Sequence, residues 1–343
     1  MAIGLLIAVA AIFYTLRNVS LSELTDSLQS FPILYYIPLT GLIVANFTTR
    51  TYRWSLLIRP MKRVRGLQLF PVFMIGLLGN LLPMRGGEIL RAYLLTNKFK
   101  IPFSGSLATI MVERVFDIFT LLLLFSGVLL FQADIFSSNV VWGDSSLEDM
   151  AYRFGSISLV MIIVLITFVY LIINKKSSLI RIVGWLSQWC PSKWKEKLEN
   201  LVHTFSQGVM AVKSAKSLFY IFFVTLLDWV WQIWFCYIIL MGFDIQYQPL
   251  LTSILIAVTM PIFMTLLPTP AFLGSMQASI YVVLHEIMNQ SQLAAASYGM
   301  FFWGWTFSFV VVAGTISVLK EHLTLRKLAE LEEKAEVDYK STP

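Results

Sequence analysis

Met111-Val112-Glu113-Arg114-Val115-Phe116-Asp117 lies near the middle of an apolar run that extends from Ser104 to Phe131. A single charged side chain at the centre of a membrane helix costs about 2.5 to 3.5 kcal/mol even on the more lenient insertion scales. Three charges within five residues must therefore face partners or a water-filled cavity instead of lipid. We interpret this segment as part of a functional site.

The rest of the 343-residue chain has the composition of an integral membrane protein. It is 57% hydrophobic and 13% charged, against about 25% charged residues in an average soluble domain. The apolar runs fall at residues 1–16, 33–58, 66–82, 104–131, 154–173, 218–241, 249–267, 271–288 and 293–319. Such runs suit helices of about 20 residues, and they lack the alternation of an outer-membrane barrel. The predicted class is all-α and polytopic.

Basic residues predict the orientation of these runs, because short cytoplasmic loops carry an excess of Lys and Arg. Basic clusters follow the second and third runs, occupy much of 175–216 and follow residue 319, whereas acidic residues dominate 17–32, 132–153 and 242–248. By this parity the stretch 66–100 begins and ends in the cytoplasm, and 249–288 begins and ends outside.

We therefore predict about six transmembrane helices and two oppositely oriented re-entrant helical hairpins, at 66–100 and 249–288, in an inverted-repeat-like arrangement. Two ordinary hairpins that cross the membrane fully would have the same parity. Residues 1–319 form the predicted transmembrane domain, with a cytoplasmic amphipathic segment at 174–216. Residues 320–343 form a cytoplasmic tail.

Both predicted hairpins break at a turn that contains proline. The first turn is Asn80-Leu81-Leu82-Pro83-Met84-Arg85-Gly86-Gly87-Glu88, and the second runs from Leu266 to Gln277. The predicted breaks are at Pro83, Pro268, Pro270 and Gly274. Broken helices at membrane depth are tolerated only inside protein or beside a cavity, and paired broken helices are typical of transporters.

The first turn has the features of an anion site. A helix that begins near Glu88 would present backbone N–H groups, which attract anions. Arg85 and Arg91 flank this start, and arginine suits bidentate contacts to phosphate. The pattern predicts a site for a phosphate headgroup, although Glu88 could instead cap the helix or pair with Arg91, and both arginines could be cytoplasmic anchors.

The charges of the central helix predict a network of ion pairs. Glu113 and Asp117 share one helix face, and Arg114 can reach Asp117 at a spacing of three. Glu113 then needs another arginine, and the candidates are Arg50 and Arg53 of the second run. This network either locks the helix packing or exchanges partners when lipid or protons bind.

Other polar residues of the apolar runs carry weaker signals. Asp228 is a further intramembrane acid, for which the nearby Lys216 indicates a place near the membrane surface. The two cysteines and three histidines have no metal-ligand spacing, so neither a metal nor a cofactor is predicted. These residues are Cys190, Cys236, His203, His285 and His322.

The motifs together resemble the lysylphosphatidylglycerol synthase transmembrane-region family, also called the flippase-like domain family. The matching stretches are Arg50–Trp54, Asn80–Arg91, Glu113–Asp117 and Pro268–Gln277, in the order typical of the family. The resemblance implies a membrane domain that moves lipids or lipid-linked precursors between leaflets. Ala271 and Gln277 depart from the family, which often has glycine and glutamate there, so coupling to protons through this turn is not expected. Only residues 320–343 follow the last predicted helix, which leaves no room for the aminoacyl-transferase domain of some members, so no synthase activity is expected.

The sequence thus predicts a flippase, not an enzyme, for an anionic phospholipid or a polyprenyl-phosphate-linked intermediate. The predicted substrate-binding residues are Arg50, Arg53, Asn80, Arg85, Gly86, Gly87, Arg91, Arg114 and Gln277, and the predicted coupling network is Glu88, Glu113, Asp117 and Asp228. The alternatives are a membrane-embedded enzyme that acts on a lipid phosphate and a scaffold subunit of an envelope-lipid synthesis complex. The expected location is a bacterial cytoplasmic membrane with both termini in the cytoplasm. The net charge of +6 is attributed to topology and anionic lipid, with no nucleic-acid partner and with a homo-oligomer left open.

Overall fold

The computed structural model describes residues 2–81, 86–132, 141–142, 145–146 and 215–321, with a few isolated positions between 153 and 167. Nearly all of these residues are helical. Pro83, Arg85 and almost all of the segments 174–216 and 320–343 lie outside the described residues, as does most of the apolar run 154–173.

The helices before the central gap are α1 (Ala2–Leu16), α2 (Leu21–Gln29), α3 (Tyr36–Ile58), α4 (Gly66–Leu81), α5 (Gly87–Phe99) and α6 (Phe103–Phe131). Two short antiparallel strands follow, β1 (Val141–Trp142) and β2 (Ser145–Ser146). The later helices are α7 (Ala215–Gly242), α8 (Pro249–Leu266), α9 (Ser275–Tyr281) and α10 (Gln292–Lys320). A π-helical stretch, Val282–Ile287, continues α9.

Local sequence explains several helix boundaries. Ser20 and Glu23 form a capping box at the start of α2, and the Ser291 hydroxyl accepts a hydrogen bond from the Ala294 N–H at the start of α10. Both arrangements satisfy N–H groups that have no partner within the helix. Pro249 is placed at the start of α8, where its missing N–H costs nothing.

The described helices are those of a polytopic membrane protein. Four are long and apolar enough to cross a bilayer, namely α6, Lys216–Gly242 of α7, α8 and α10, and a pair formed by α1 and α2 with a bend of 82° would add a fifth. Helix α3 has 23 residues, but its polar residues, which include Arg50 and Arg53, keep it outside that set. Helix α8 was predicted as one arm of a re-entrant hairpin, yet its 18 residues are enough to cross.

The two predicted hairpins are both present as pairs of packed helices. Helix α4 packs against α5, and α8 packs against α9. In the first pair α4 is described to Leu81 and α5 begins at Gly87, and the second pair breaks between Leu266 and Ser275, around a 3₁₀ turn at Pro270–Phe272. Helix α10 contacts both α4 and α9, so the two hairpins lie on the same long helix.

Candidate functional site

A narrow cleft lies between α3, α4, α5 and α6. Its charged lining residues are Arg50, Arg53, Glu88, Arg91, Glu113, Arg114 and Asp117. Asn80 and Gly87, at the break of the first hairpin, also line it. The cleft therefore joins the charged segment of α6 to the first hairpin and to the arginines of α3.

The first hairpin brings two backbones into direct contact at the cleft. A Cβ atom on Gly87 would lie 1.9 Å from the Gly76 carbonyl oxygen and 2.7 Å from the Asn80 nitrogen. The Asn80 Oδ1 atom accepts a hydrogen bond of 3.1 Å from the Gly87 N–H. Asn80 therefore caps the start of α5 from the other arm, so this N–H is already occupied.

Arg91 and Glu113 form the most buried ion pair of the cleft. The Arg91 Nη2 donates to Glu113 Oε2, and the two side chains are 7% and 6% exposed. The Arg91 guanidinium stacks over the Trp54 ring at 3.8 Å and lies 4.8 Å from the Phe73 ring centroid. Stacking on aromatic rings and pairing with a carboxylate both compensate for the buried charge.

Asp117 accepts contacts from two arginines. The Arg53 Nη1 donates to Asp117 Oδ1 at 2.6 Å and to Thr225 Oγ1 at 3.2 Å. The Arg114 Nη1 lies 3.8 Å from Asp117 Oδ2, as the spacing of three predicted. Arg114 also donates to Glu88, and this last pair is the most exposed, at 53% and 40% of the side chains.

Asp228 extends the network onto α7. The Arg50 Nε lies 3.0 Å from Asp228 Oδ2, and the Asn46 Nδ2 donates to Oδ1 at 2.9 Å. Asp228 is about 20 Å from the start of α7 at a rise of 1.5 Å per residue. The Asp228 carboxylate is 2% exposed.

Three polar atoms of this cluster have no hydrogen-bond partner among the described residues. They are the donors Arg53 Nε and Arg91 Nε and the acceptor Glu113 Oε1. Buried polar atoms are nearly always paired, and an unpaired one costs about 1 to 3 kcal/mol. All three atoms belong to residues that line the cleft.

In the second hairpin, the predicted site residues Gly274 and Gln277 form a hydrogen bond with each other. Gly274 has φ of +91°, which only glycine adopts readily. The Gln277 Oε1 accepts the Gly274 N–H at 2.7 Å, and Trp303 Nε1 donates to the Ala271 carbonyl at 3.0 Å. Gln277, Pro268, Pro270 and Gly274 are not among the residues that line the cleft.

One sequence-based assignment of a partner was wrong. Glu113 pairs with Arg91 of α5, not with Arg50 or Arg53, because the hairpin places α5 beside α6. Asp228 lies 13 residues after the first described residue of α7, and its depth in the membrane stays a prediction. In addition, the alternative pairing of Glu88 with Arg91 is not found, since Glu88 pairs with Arg114.

Sequence reasoning also missed members of the site. Asn46, Trp54 and Thr225 contact the charged residues but were not predicted. A signal existed for Asn46, since Asn46, Arg50 and Arg53 follow the spacing of four and then three that places residues on one helix face. Thr225 and Trp54 had no comparable signal because their roles depend on tertiary contacts.

Comparisons with known proteins agree with this architecture. A family model described as the lysylphosphatidylglycerol synthase TM region matches residues 1–314. A UPF0104 membrane protein of Methanocaldococcus jannaschii is 30% identical over 138 residues, which are 40% of this chain and 49% of that protein. A UPF0104 membrane protein of Methanothermobacter thermautotrophicus is 24% identical over 254 residues, 71% of this chain and 72% of that protein. The chain thus spans about half the length of the first relative, and no solved structure matches it.

Proposed function

Because this chain belongs to the lysylphosphatidylglycerol synthase TM region family, we propose that it is a flippase for a phosphate-bearing anionic lipid. The substrate is an anionic phospholipid or a polyprenyl-phosphate-linked intermediate, and its headgroup enters the cleft between α3, α4, α5 and α6. The acyl or prenyl chains stay in the bilayer. The protein acts as a transporter and makes no covalent change to the lipid.

One observation carries this proposal, namely the two buried arginine donors that have no partner among the described residues. Arg53 Nε and Arg91 Nε belong to side chains that line the cleft. Arginine binds phosphate through charge-assisted hydrogen bonds, which are stronger inside a low-dielectric site than in water. A phosphate oxygen would supply the acceptors that these donors lack.

The exposed pair gives the headgroup a point of entry. Arg114 and Glu88 are the least buried partners of the network, so separating them costs less than separating Arg91 from Glu113. A phosphate would first take Arg114 and then compete with Glu113 and Asp117 for Arg91 and Arg53. Release of the internal pairs on binding would bias the protein toward a state that opens to one side.

The proposal includes a membrane topology. The first hairpin is re-entrant from the cytoplasm, the second enters from the outside with an α8 arm that is long enough to cross, and both termini lie in the cytoplasm of a bacterial cell. Support comes from the basic clusters on both sides of the first hairpin and from the lengths of its arms. Helices α4 and α5 are about 24 and 20 Å long, against a hydrocarbon core of about 30 Å.

The test is leaflet exchange in liposomes that contain the purified protein. Fluorescent anionic phospholipid and a polyprenyl phosphate serve as substrates, and Arg91→Ala, Arg85→Ala and Glu113→Gln are compared with the unchanged protein. Lys98→Ala is the matched control, because Lys98 is also a cation of α5 but pairs with Glu321 away from the cleft. We expect exchange that Arg91→Ala reduces at least tenfold and that Lys98→Ala leaves intact.

Two results would contradict the proposal. If the reconstituted protein exchanged neither lipid, a scaffold or an enzyme acting on a lipid phosphate would become the better interpretation. If exchange were present but unaffected by Arg91→Ala, the protein would be a flippase whose site lies elsewhere.

A further inference from the structure

The charges around the cleft compensate one another in the described part of the chain. Four arginines face four carboxylates in the pairs Arg50–Asp228, Arg53–Asp117, Arg91–Glu113 and Arg114–Glu88. An anion that takes the guanidinium nitrogens now paired with a carboxylate therefore leaves that carboxylate without its partner. An uncompensated charge at such a place costs several kcal/mol, and carboxylates there commonly become neutral instead.

Glu113 is the carboxylate that would lose its partner. Its only donor among the described residues is Arg91, which contacts Oε2, while Oε1 has no partner. The other three acids are better supported or more exposed. Asp117 keeps a second arginine, Asp228 keeps the Asn46 amide, and Glu88 is 40% exposed.

We propose that Glu113 is a proton-binding site, filled when an anionic headgroup takes Arg91 from it, so that the protein carries one proton with each singly charged lipid. The inference rests on the proposed function and adds the proton as a second substrate. The charge balances, since the headgroup brings one negative charge to Arg91 and the proton from water adds one positive charge to the Glu113 carboxylate. The loaded cluster then has the same net charge as the empty one.

The charged groups around Glu113 come from three of the helices packed against α6 and from α6 itself. They are Arg91 and Glu88 of α5, Arg50 and Arg53 of α3, Asp228 of α7, and Arg114 and Asp117 of α6 itself. Helix α8 also packs on α6 and has no ionisable side chain between Pro249 and Leu266. Of these groups, Arg91 is the one in contact with Glu113. Its binding to the headgroup therefore changes the electrostatic potential at Glu113 most.

Because lipid binding changes the partner of Glu113, proton binding and lipid binding are thermodynamically linked. Since the loaded protein holds one proton more than the empty one, the affinity for the anion falls as the pH rises. A pH gradient across the membrane would then drive net movement of lipid. Transport would need no nucleotide.

The test is calorimetric titration of the full-length protein in nanodiscs with dihexanoyl phosphatidylglycerol, below the concentration at which this lipid forms micelles. Titrations at one pH in PIPES and in Tris, whose heats of ionisation differ, give the number of protons taken up per lipid. We expect about one proton for the unchanged protein. Glu113→Gln should bind the lipid with an uptake near zero.

Glu286→Gln is the matched control for that substitution. Glu286 is a partly buried glutamate that accepts a hydrogen bond from the Tyr14 hydroxyl at 3.1 Å, and it does not line the cleft. This variant should still take up about one proton. The measurement on the unchanged protein keeps the test decisive even if Glu113→Gln does not fold.

The outcomes separate this inference from the proposed function. Lipid binding without proton uptake, or with an uptake that Glu113→Gln leaves unchanged, would overturn the proton site and leave the headgroup site standing. Absence of binding of this lipid, together with absence of polyprenyl phosphate exchange in the liposomes, would instead refute the headgroup site, and the inference that rests on it would fall too.

Discussion

Arg53 contacts side chains of two other helices. Substituting it together with one of these partners can separate its contribution to stability from its contribution to transport. It donates to Asp117 of α6 and to Thr225 of α7. Replacing one member of a buried ion pair leaves the other charge uncompensated, at a cost of about 3 to 5 kcal/mol. Replacing both members with apolar residues of similar size removes this penalty.

We therefore expect Arg53→Met and Asp117→Leu each to lower the thermal stability of the detergent-solubilised protein strongly. The double variant should recover most of the loss, with a coupling free energy of about 2 kcal/mol or more between the two positions. Lipid exchange should stay low in all three variants, because Arg53 is proposed to contact the phosphate. Full exchange by the double variant would identify the pair as a static lock of helix packing.

The individual ion pairs mark the limit of what the sequence could predict. The pair within α6, between Arg114 and Asp117, followed from helix geometry alone. The partner of Glu113 did not, because Arg50, Arg53 and Arg91 are all candidates until the position of α5 is known. Pairs between helices depend on tertiary packing, which hydrophobic periodicity does not encode.

At the scale of elements, the first hairpin depends on the contact between its two arms. A methyl group on Gly87 would overlap the Gly76 carbonyl oxygen and the Asn80 backbone nitrogen. These are backbone atoms, which cannot rotate away. Gly87→Ala should therefore destabilise the protein by about 3 kcal/mol, at the upper end of the cost of overpacking, and should reduce lipid exchange.

Gly127→Ala provides the control for this substitution. Gly127 lies on α6, and an added Cβ would meet nothing within 4 Å. Alanine is the better helix former by about 1 kcal/mol, so this variant should be as stable as the unchanged protein or more so in thermal unfolding. Equal melting temperatures for Gly87→Ala and the unchanged protein would show that the arms do not touch at this point.

The existence of both hairpins was predictable because proline and glycine interrupt long apolar runs at matching places. In the structure α8 ends at Leu266 and α9 begins at Ser275, and α5 begins at Gly87, after a predicted turn whose Pro83 lies outside the described residues. The hydrogen bond of Gln277 within its own turn was harder to predict from the sequence. A side chain that caps its own turn has the same sequence signature as one that faces a ligand. Its role as a cap depends on the positive φ of Gly274.

At the scale of the whole molecule, α10 connects the two hairpins. It contacts α4 along one side, where an added Cβ on Gly314 would lie 2.9 Å from the Leu78 side chain, and α9 along another, where Gly299 approaches Gln277. Small residues thus let both hairpins pack closely on one helix, as is common in membrane helix interfaces. A displacement of either hairpin would shift α10 and would thereby change the contacts of the other hairpin.

The depth of the first hairpin tip is the remaining prediction, and cysteine labelling tests it. Single cysteines at Arg63, Leu81 and Gln246 are introduced into a variant without Cys190 and Cys236 and are treated with a membrane-impermeant maleimide. Arg63→Cys, between α3 and α4, should react only from the cytoplasmic side, and Gln246→Cys, between α7 and α8, only from the outside.

Leu81→Cys should not react from the outside, because arms of about 24 and 20 Å leave the tip of the first hairpin inside a hydrocarbon core of about 30 Å. Labelling of Leu81→Cys from the outside would show that the hairpin crosses the membrane completely, and the phosphate site would then be open to both sides.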